Sequence, residues 1–478
     1  MSEEIKNENE NENEGEIVGS EKSEASCETL FSDNGAPAPK KVKRISLHTA
    51  IFAGIALVLA SVMLTYTCLS GVYKKRIIEV QNETLVSGDD RYYPFELFDQ
   101  IFSQLSFAEL DEEEMMAAAL KAYVYATGDP YAAYYTAEEY AAMMASSEGK
   151  TQGIGVNVAY TKIEYDGKTQ EVIQVFHVTK DSPADDEENG VKPGDVIYAV
   201  ESNGSFLTVD SLGYEAALQK LQGVAGTTAK FQILRKENGV WSAPIERSVV
   251  RAEFTSDSVY GEVSDSGEVG IIRIIQFDLT TPKQFSAEVD RLKKAGCERF
   301  VFDLRNNPGG TLQSIEAILS YFLSEGDVLI RVKDKAGNEE ISKVKSVKYS
   351  GIYEGCSVSE SDIGKYKDLN AVVLCNGGTA SAAELFTATF RDYDLGAIVG
   401  EKTYGKGSMQ TIMPLVQYGY TGALKLTTAM YYSGKDTKGY DGIGIDPDHK
   451  VALEGEGSIY IREEADDNQL RFAIDLLK

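Results

Sequence analysis

Three glycine-rich segments in the C-terminal half carry side chains that could perform chemistry. They read DLRNNPGG at 303–310, NGGTASAAE at 376–384 and GEKTYGKGSMQ at 400–410. The second segment places Ser381 at a turn between an apolar strand, 371–375, and a helix that runs to about Asp392. The Oγ of a serine at such an elbow projects beyond the turn, where the helix N-terminus stabilises developing negative charge. The structural alternative is that Ser381 only caps its helix.

A nucleophilic serine needs a base, and histidines are scarce in this chain. They are His48, His177 and His449. Lysine can replace histidine when burial disfavours the charged amine and lowers its pKa. Lys406 lies 25 residues after Ser381, between two glycines and next to apolar segments, which favours partial burial. The alternative for Lys406 is an ordinary solvated side chain.

Two other motif matches are weak. The segment from Gly400 to Lys406 reads G-x-x-x-x-G-K like a phosphate-binding loop, but Gly407 stands where Ser or Thr must hold magnesium. Pro414 would also interrupt the helix that should follow. The S-x-x-K at 147–150 and the S-D-N at 32–34 match β-lactamase motifs, yet the chain contains no K-T-G. We therefore predict neither a nucleotide site nor a β-lactamase.

Composition excludes several further classes of protein. The chain has 478 residues and a net charge of −28, which argues against nucleic-acid binding through a basic surface. Its length corresponds to roughly two to four domains. The five cysteines form no C-x-x-C pair, so a zinc knuckle or a thioredoxin-type site is not expected. We predict no metal and no other cofactor.

The N-terminus combines an acidic tail with an apolar segment. Residues 1–45 are predicted to be a disordered, acidic, cytoplasmic tail. Residues 46–71 are predicted to be a transmembrane anchor, because 50–69 is a 20-residue run without charge that has basic residues on both sides. A cleaved signal peptide and a lipoprotein cysteine at Cys68 are the alternatives; the long upstream region favours an uncleaved anchor. Residues 72–92 are predicted to form a polar stalk.

Two predicted regions precede the reactive segments. Residues 93–149 show helical spacing and should form two or three amphipathic helices, broken at Gly128-Asp129-Pro130, with their tyrosines used for packing. Residues 150–253 should form a small β domain with one helix, at 211–221, capped by Asp210. The predicted strands are 154–160, 171–178, 195–201, 230–235 and 245–250.

The order of these elements resembles a PDZ domain. The resemblance depends on Gly153-Ile154-Gly155-Val156 at the first strand and on the turn at 192–195. It implies that backbone N–H groups of this glycine loop bind the C-terminal carboxylate of a peptide that adds a strand to the sheet. The alternative is a simple β-turn.

The last region, 254–455, alternates strands and helices. An apolar strand at 269–277 is followed by a helix at 282–295, a strand at 299–305 and a helix at 312–323. This β-α-β-α pattern predicts a partly parallel sheet with covering helices. Further strands are expected at 371–375, 397–399 and 424–432, and a helical segment at 456–478 ends the chain.

Together, the three glycine-rich segments resemble the carboxyl-terminal processing protease family, PDZ-containing serine proteases that use lysine as base. The resemblance covers roughly 93–478 and agrees in motif type, order and separation. It implies that Ser381 is the nucleophile, Lys406 the general base and Gln410 the residue that orients the lysine amine. The resemblance also implies an oxyanion hole formed by the N–H groups of Ala382 and of Gly309 or Gly310, with Gly310 favoured. It implies supporting positions at Glu384 and Thr403. Thr379 and Tyr404 stand where the family commonly has serine and phenylalanine.

The predicted fold class is therefore multidomain α/β and β: a single transmembrane helix, a helical N-terminal region, a PDZ-like domain and an α/β protease core of mixed sheet with covering helices. The resemblance implies a cell-membrane-anchored, extracytoplasmic endopeptidase that captures protein C-termini and cleaves through an acyl-enzyme. The rival interpretation is a catalytically silent PDZ scaffold or sensor. Expected partners are protein substrates and the membrane, with no nucleic acid. The helical region and the C-terminal helix are expected surfaces for a second copy or a regulatory partner.

Overall fold

The computed structural model describes residues 97–98, 101–104, 111–187, 189–435 and 439–478. The chain divides into one unit at 1–107 and a second at 108–478. In the first unit, 97–98 and 101–104 are helical. The predicted tail, anchor and stalk lie outside the described residues. Within the described part of the chain, no helix combines the length and apolar character needed to cross a membrane.

The second unit begins with two helices, as predicted. Helix α1 spans Glu112–Ala126, and the side chain of Asp111 caps its N-terminus by accepting from two backbone N–H groups. Helix α2 spans Ala137–Ser147 and starts with a capping box at Thr136. The predicted break at 128–130 is confirmed, and the short strand β1 (Ala133–Tyr135) lies between the helices.

The region predicted as a small β domain forms an antiparallel sheet with strand order β10-β7-β5-β4-β3, and β6 pairs with β5. Strands β2 and β11 pair separately, as do β8 and β9. The strands are β2 (Lys150–Gly153), β3 (Val156–Tyr165), β4 (Lys168–Val178), β5 (Val196–Ser202), β6 (Ser205–Thr208), β7 (Thr228–Leu234), β8 (Lys236–Glu237), β9 (Val240–Trp241), β10 (Ile245–Val250) and β11 (Ala252–Thr255).

The single helix predicted for this domain is two helices, α3 (Val209–Leu212) and α4 (Tyr214–Leu221). Gly213 separates them because its φ of 85° is outside the helical region. The predicted cap at Asp210 is also wrong. Thr208 is the N-cap of α3 and accepts from the N–H of Ser211, whereas Asp210 lies within the first turn.

The C-terminal region is built on a six-stranded sheet of order β12-β13-β14-β17-β18-β21. All pairs are parallel except the antiparallel edge pair β12–β13, so the predicted mixed sheet is confirmed. The strands are β12 (Val259–Val263), β13 (Val269–Ile274), β14 (Arg299–Asp303), β17 (Asn370–Cys375), β18 (Gly396–Gly400) and β21 (His449–Lys450). The helices are α5 (Thr281–Lys294), α6 (Leu312–Ser320), α7 (Ala382–Asp392) and α8 (Asn468–Leu476).

Helices cover both faces of this sheet, because alternate residues of each strand point to opposite sides. Ile272 and Phe302 face a large core with α5, α6 and α7, in which aromatic rings pack against one another. Ile271 and Val301 face the other side, where the apolar residues of α8 cover them. Burial on both faces explains the continuous apolar runs of these strands.

A second sheet in this region has the order β1-β20-β15-β16, with β19 also paired to β20. These strands are β15 (Val328–Asp334), β16 (Glu339–Lys343), β19 (Ser408–Pro414) and β20 (Ala423–Ser433). In β20 the buried residues Ala429, Tyr431 and Ser433 share the odd-numbered face. A bulge at Thr428 interrupts this alternation, so Lys425 and Thr427, which pair with Ile412 and Gln410, lie on the opposite face.

A fully buried ion cluster attaches the C-terminal helix to the central sheet. Arg305 donates to both carboxylate oxygens of Asp303 and of Asp467, and to Oε1 of Gln469. Asp467 is also the N-cap of α8. Burial alone would raise the pKa of Asp303, but the charges of Arg305 and Arg273 outweigh that effect and lower its pKa to about 2.

We predict that Arg305→Met lowers the free energy of unfolding by about 3–5 kcal/mol, because it leaves the buried Asp467 without a cation and Asp303 with Arg273 alone. Urea denaturation measures this. Lys121→Met, which breaks an ion pair whose side chains are 45% and 43% exposed, is the control and should cost about 1 kcal/mol or less. Equal stabilities of the two variants would contradict the cluster's role. Because folding lowers the Asp303 pKa from 3.8, its stabilising effect is present above that pH and lost as the pH falls toward about 2.

Candidate active site

The parallel sheet brings the three glycine-rich segments together. They follow the carboxyl ends of β14, β17 and β18, which are adjacent strands. Loops at the carboxyl ends of neighbouring parallel strands meet at one edge of the sheet. One cavity of about 670 Å³ is consequently lined by Ser381, Gly309, Gly310, Ala382 and Lys406.

Ser381 occupies a strained turn between β17 and α7. Its φ and ψ are 57° and −120°, a combination that non-glycine residues rarely adopt. The loop before it is fixed to the neighbouring strand end, because the hydroxyl of Thr379 donates to the carbonyl of Leu304. The backbone N–H of Ala380 likewise donates to the carbonyl of Asn307. The elbow therefore holds its unusual conformation through contacts on both sides.

The buried carboxylate of Glu384 connects the serine elbow to the lysine loop. One oxygen accepts from the N–H of Ser381 at 3.0 Å and of Lys406 at 2.7 Å. The other accepts from the Thr403 hydroxyl at 2.6 Å and from the N–H of Gly405 at 2.7 Å. Four donors on one carboxylate fix the two loops relative to each other. The structure thus brings together the two residues expected at supporting positions.

Thr403 extends this network to a loop near the C-terminus. Its hydroxyl accepts from the N–H of Ile445, and its own N–H donates to the carbonyl of Ile445. On the other side of Lys406, the N–H of Gly407 donates to Asp441. The main chain around Lys406 is therefore held from three directions.

The amine of Lys406 lies in a half-buried environment. Burial, and after it the positive charge of Lys425, lower the pKa of Lys406 below the ordinary lysine value, although the charge of Glu384 opposes them. Its Nζ lies 4.6 Å from the centroid of the Tyr131 ring. In the described part of the chain, Nζ forms no hydrogen bond with Ser381 or Gln410. The lysine is in the cavity of the serine but is turned toward the tyrosine.

Gln410 lies in β19 opposite Thr427, next to the bulge of β20 at Thr428, and also lines the cavity. Its amide nitrogen donates to the hydroxyl of Thr427 at 3.2 Å and to the hydroxyl of Ser408 at 3.1 Å. These bonds fix the amide plane. The predicted contact between this amide and the lysine amine is not formed here.

Two backbone N–H groups next to Ser381 lack acceptors among the described residues. They belong to Gly310 and Ala382. The N–H of Gly309 instead donates to the side chain of Asn307 at 2.8 Å. Gly309 still matters sterically, because a Cβ there would lie 2.7 Å from the Cβ of Ser381 and 2.8 Å from the nitrogen of Ala382. Two free donors near a nucleophile are the arrangement that stabilises an oxyanion.

Two tyrosines reach the site without having been identified from the sequence. The buried Tyr431 donates its hydroxyl to the carbonyl of Lys406 at 2.7 Å. Burial raises the pKa of the Tyr431 phenol, and a hydrogen bond with the Ser381 side chain opposes this rise. Tyr131 was expected only to pack, but its ring contacts the lysine. Asp129 positions this segment by accepting from the N–H and hydroxyl of Thr427.

The remaining walls of the cavity are largely apolar. On the side of α6 and α7 they include Leu312, Ile315 and Leu385, and Met409 lies opposite on β19. Such walls suit an apolar side chain next to the reacting bond. Within the described segments, no cluster of three or more His, Cys, Asp or Glu side chains could hold a metal ion.

A second groove, of about 340 Å³, lies in the small β domain between β3 and α4. The predicted loop residues Gly153, Ile154, Gly155 and Val156 all line it. The carbonyls of Ile154 and Gly155 accept from Ala184 and Thr179, whereas their N–H groups have no acceptor in the part of the chain described. This loop can therefore present N–H donors to an anion.

The groove and the cavity that contains Ser381 are neighbours. Ser146 and Gln276 line both of them. The junction is held by hydrogen bonds from Leu279 to Ser147 and from Ser256 to Gly149. A bound chain can therefore pass from the groove to Ser381 along one surface.

The chain is similar to known peptidases. Residues 268–451 match the model of Peptidase family S41. The carboxy-terminal processing protease CtpA of Bacillus subtilis (strain 168) is 29% identical over 368 residues, which are 77% of this chain and 70% of the relative. The carboxy-terminal-processing protease of Bartonella bacilliformis is 27% identical over 390 residues, 80% of each chain.

A solved S41 protease from Bacteroides fragilis NCTC 9343 has the same fold, with a TM-score of 0.52 and 18% identity. The match covers 82% of this chain and 98% of that one.

We predict that reaction of Ser381 with a fluorophosphonate rises with pH and has its midpoint below 10.5, the ordinary lysine value, because the lowered pKa of Lys406 yields the neutral base at lower pH. Lys425→Met should move the midpoint to higher pH, since it removes a neighbouring positive charge that disfavours the ammonium. Labelling rates across roughly pH 6 to 11 measure this. Lys333→Met, an exposed lysine of β15 in the same sheet, is the control. An unchanged or lower midpoint in Lys425→Met would contradict the electrostatic coupling.

Proposed function

Because residues 268–451 match the model of peptidase family S41 and the chain is similar to carboxyl-terminal processing proteases, we propose that it is a serine endopeptidase using Ser381 and Lys406. The predicted resemblance to this family is confirmed. The mechanism is supported by one cavity, in which the serine elbow, the lysine loop and two free N–H groups meet. Glu384 joins the elbow to the loop.

The neutral amine of Lys406 takes the proton of the Ser381 hydroxyl as Oγ attacks the peptide carbonyl. The N–H groups of Gly310 and Ala382 stabilise the oxyanion that forms. The Lys406 ammonium then protonates the leaving amine, which leaves an ester on Ser381. Water, deprotonated by Lys406, hydrolyses this ester and restores the serine.

This mechanism requires the amine of Lys406 to move from the Tyr131 ring to Ser381. Gln410, with its amide already fixed by Ser408 and Thr427, is placed to receive the moved amine with its carbonyl oxygen. Substrate binding causes this movement of the amine. A chain that enters the cavity excludes water around the lysine and favours its neutral form.

The groove of the small β domain acts as a PDZ-type receptor for a protein C-terminus. Its support is the pair of free N–H groups in the glycine loop and the open side of β3 next to α4. The captured chain extends past Ser146 and Gln276 toward Ser381. An unstructured substrate is required, because a folded domain does not fit a cavity of this size.

The apolar run at 50–69 anchors the enzyme in the cell membrane, with the acidic tail in the cytoplasm and the catalytic part outside it. This proposal is supported by the length of the uncharged run and by the position of the described domains downstream of it.

The test uses the full-length chain and two substrates: an unfolded protein with an apolar C-terminus, and a short peptide with an amidated end. We predict that Ser381→Ala and Lys406→Ala each lower cleavage of both substrates by at least about 10³-fold. Gel and mass-spectrometric analysis of the products measure this. Cleavage that persists in Ser381→Ala would refute the nucleophile, and absence of cleavage by the unmodified chain with retained tail binding would favour the silent scaffold.

The same experiment tests separately whether the groove captures the substrate. Leu218→Glu places a carboxylate in the groove, and it should lower cleavage of the protein about tenfold while leaving the amidated peptide unaffected. Gln219→Glu adds the same charge on the exposed side of α4 and should change neither. Equal loss on both substrates would contradict a role for the groove in capture.

A further inference from the structure

The catalytic cavity contains a second lysine that the mechanism does not use. Lys425 lines the cavity from β20, on the strand face that also carries Thr427. Its side chain is half-buried, and its Nζ lies 5.5 Å from the centroid of the Tyr135 ring. Its charge is close enough to lower the pKa of Lys406.

No carboxylate of the described residues pairs with Lys425. Asp129, which binds Thr427 two residues along β20, and Asp278, which lines the same cavity, both accept hydrogen bonds from other groups. Asp129 accepts from Thr427 and from the N–H of Tyr131. Asp278, which lines the cavity, accepts from Gln276, Thr280 and Thr281 at the N-terminus of α5.

A half-buried cation without a partner is costly in a protein, since its lost hydration is not replaced. The cost is recovered when a ligand brings the opposite charge. Lys406 does not meet this need, because it must become neutral to act as base. Lys425 is therefore the cation that remains in the cavity during the reaction.

We propose that Lys425 forms an anion subsite that binds a carboxylate of the substrate near the bond to be cleaved. This inference rests on the proposed function and specifies its substrate class. The carboxylate comes from an aspartate or glutamate side chain or from a chain end inside the cavity. The substrate then combines an apolar residue against Leu312 and Leu385 with an acidic group on the side of β20.

The test measures peptide binding to the full-length Ser381→Ala chain by fluorescence anisotropy. The probes are eight-residue apolar peptides, amidated at the C-terminus, with one glutamate moved through successive positions. Each is compared with its glutamine analogue. At one position or more, the glutamate peptide should bind about tenfold more tightly, as for a hydrogen bond to a charged group in a half-buried site.

Adding Lys425→Met should reduce this ratio to about one, and Lys425→Arg should retain most of it because the charge is kept. Lys333→Met is the control and should leave the ratio unchanged. Because any effect of the substitution on Lys406 acts on both peptides, the ratio isolates the subsite. A free-acid version of the all-glutamine peptide separates a chain-end carboxylate from a side chain, with Leu218→Glu included to exclude binding in the groove.

The subsite would be overturned if the glutamate and glutamine peptides bind equally at all positions and the free-acid peptide binds no more tightly than the amidated one. It would also be overturned if a preference for the carboxylate survives Lys425→Met. Catalytic failure gives a different result. If the active chain cleaves no peptide while the binding ratio depends on Lys425, the proposed function fails and the subsite stands. If cleavage depends on Ser381 but the enzyme has no preference for acidic peptides that Lys425→Met removes, only the subsite is refuted.

Discussion

The candidate site depends on the four hydrogen bonds accepted by the buried carboxylate of Glu384. Ser381 and Lys406 come from different loops. The carboxylate joins them through the N–H groups of both residues, and through Thr403 it extends to Ile445. A buried carboxylate that accepts four donors is a strong constraint, because each bond lost would leave charge or N–H groups unsatisfied.

The sheet makes this connection attainable. Strands β14, β17 and β18 are adjacent and parallel, so their carboxyl ends bring the Gly309-Gly310 loop, the serine elbow and the lysine loop to one edge. The helices behind them provide a rigid aromatic core, and the Arg305 cluster attaches α8 to the opposite face. Chemistry therefore rests on elements buried on both sides, whereas the groove and the N-terminal helices are placed around them.

Most of the core fold could be predicted from the sequence because its strands are apolar runs ended by glycine turns, as at 371–375 and 397–399. The helix at 211–221 was harder, since Gly213 interrupts a periodic face without changing the pattern of apolar residues. Ser381, Lys406 and Glu384 were found because they lie inside recognisable motifs. Tyr131 and Tyr431 were missed because they reach the site from segments that pair only through tertiary structure. Alternation along the last part of β20 carried a signal for Tyr431, since the buried residues Ala429, Tyr431 and Ser433 are every second residue.

The most direct test of the Glu384 constraint is the labelling rate of Ser381 by a fluorophosphonate in Glu384→Gln. Glutamine keeps the shape and one acceptor oxygen, but its NH₂ group faces two of the four donors. We expect labelling to be slowed about 100-fold, as for a misplacement of about 1 Å, with the fold retained by circular dichroism. Glu316→Gln, on α6 and outside the cavity, should label at the normal rate. A folded Glu384→Gln chain that labels as fast as the unmodified chain would contradict the role assigned to this carboxylate.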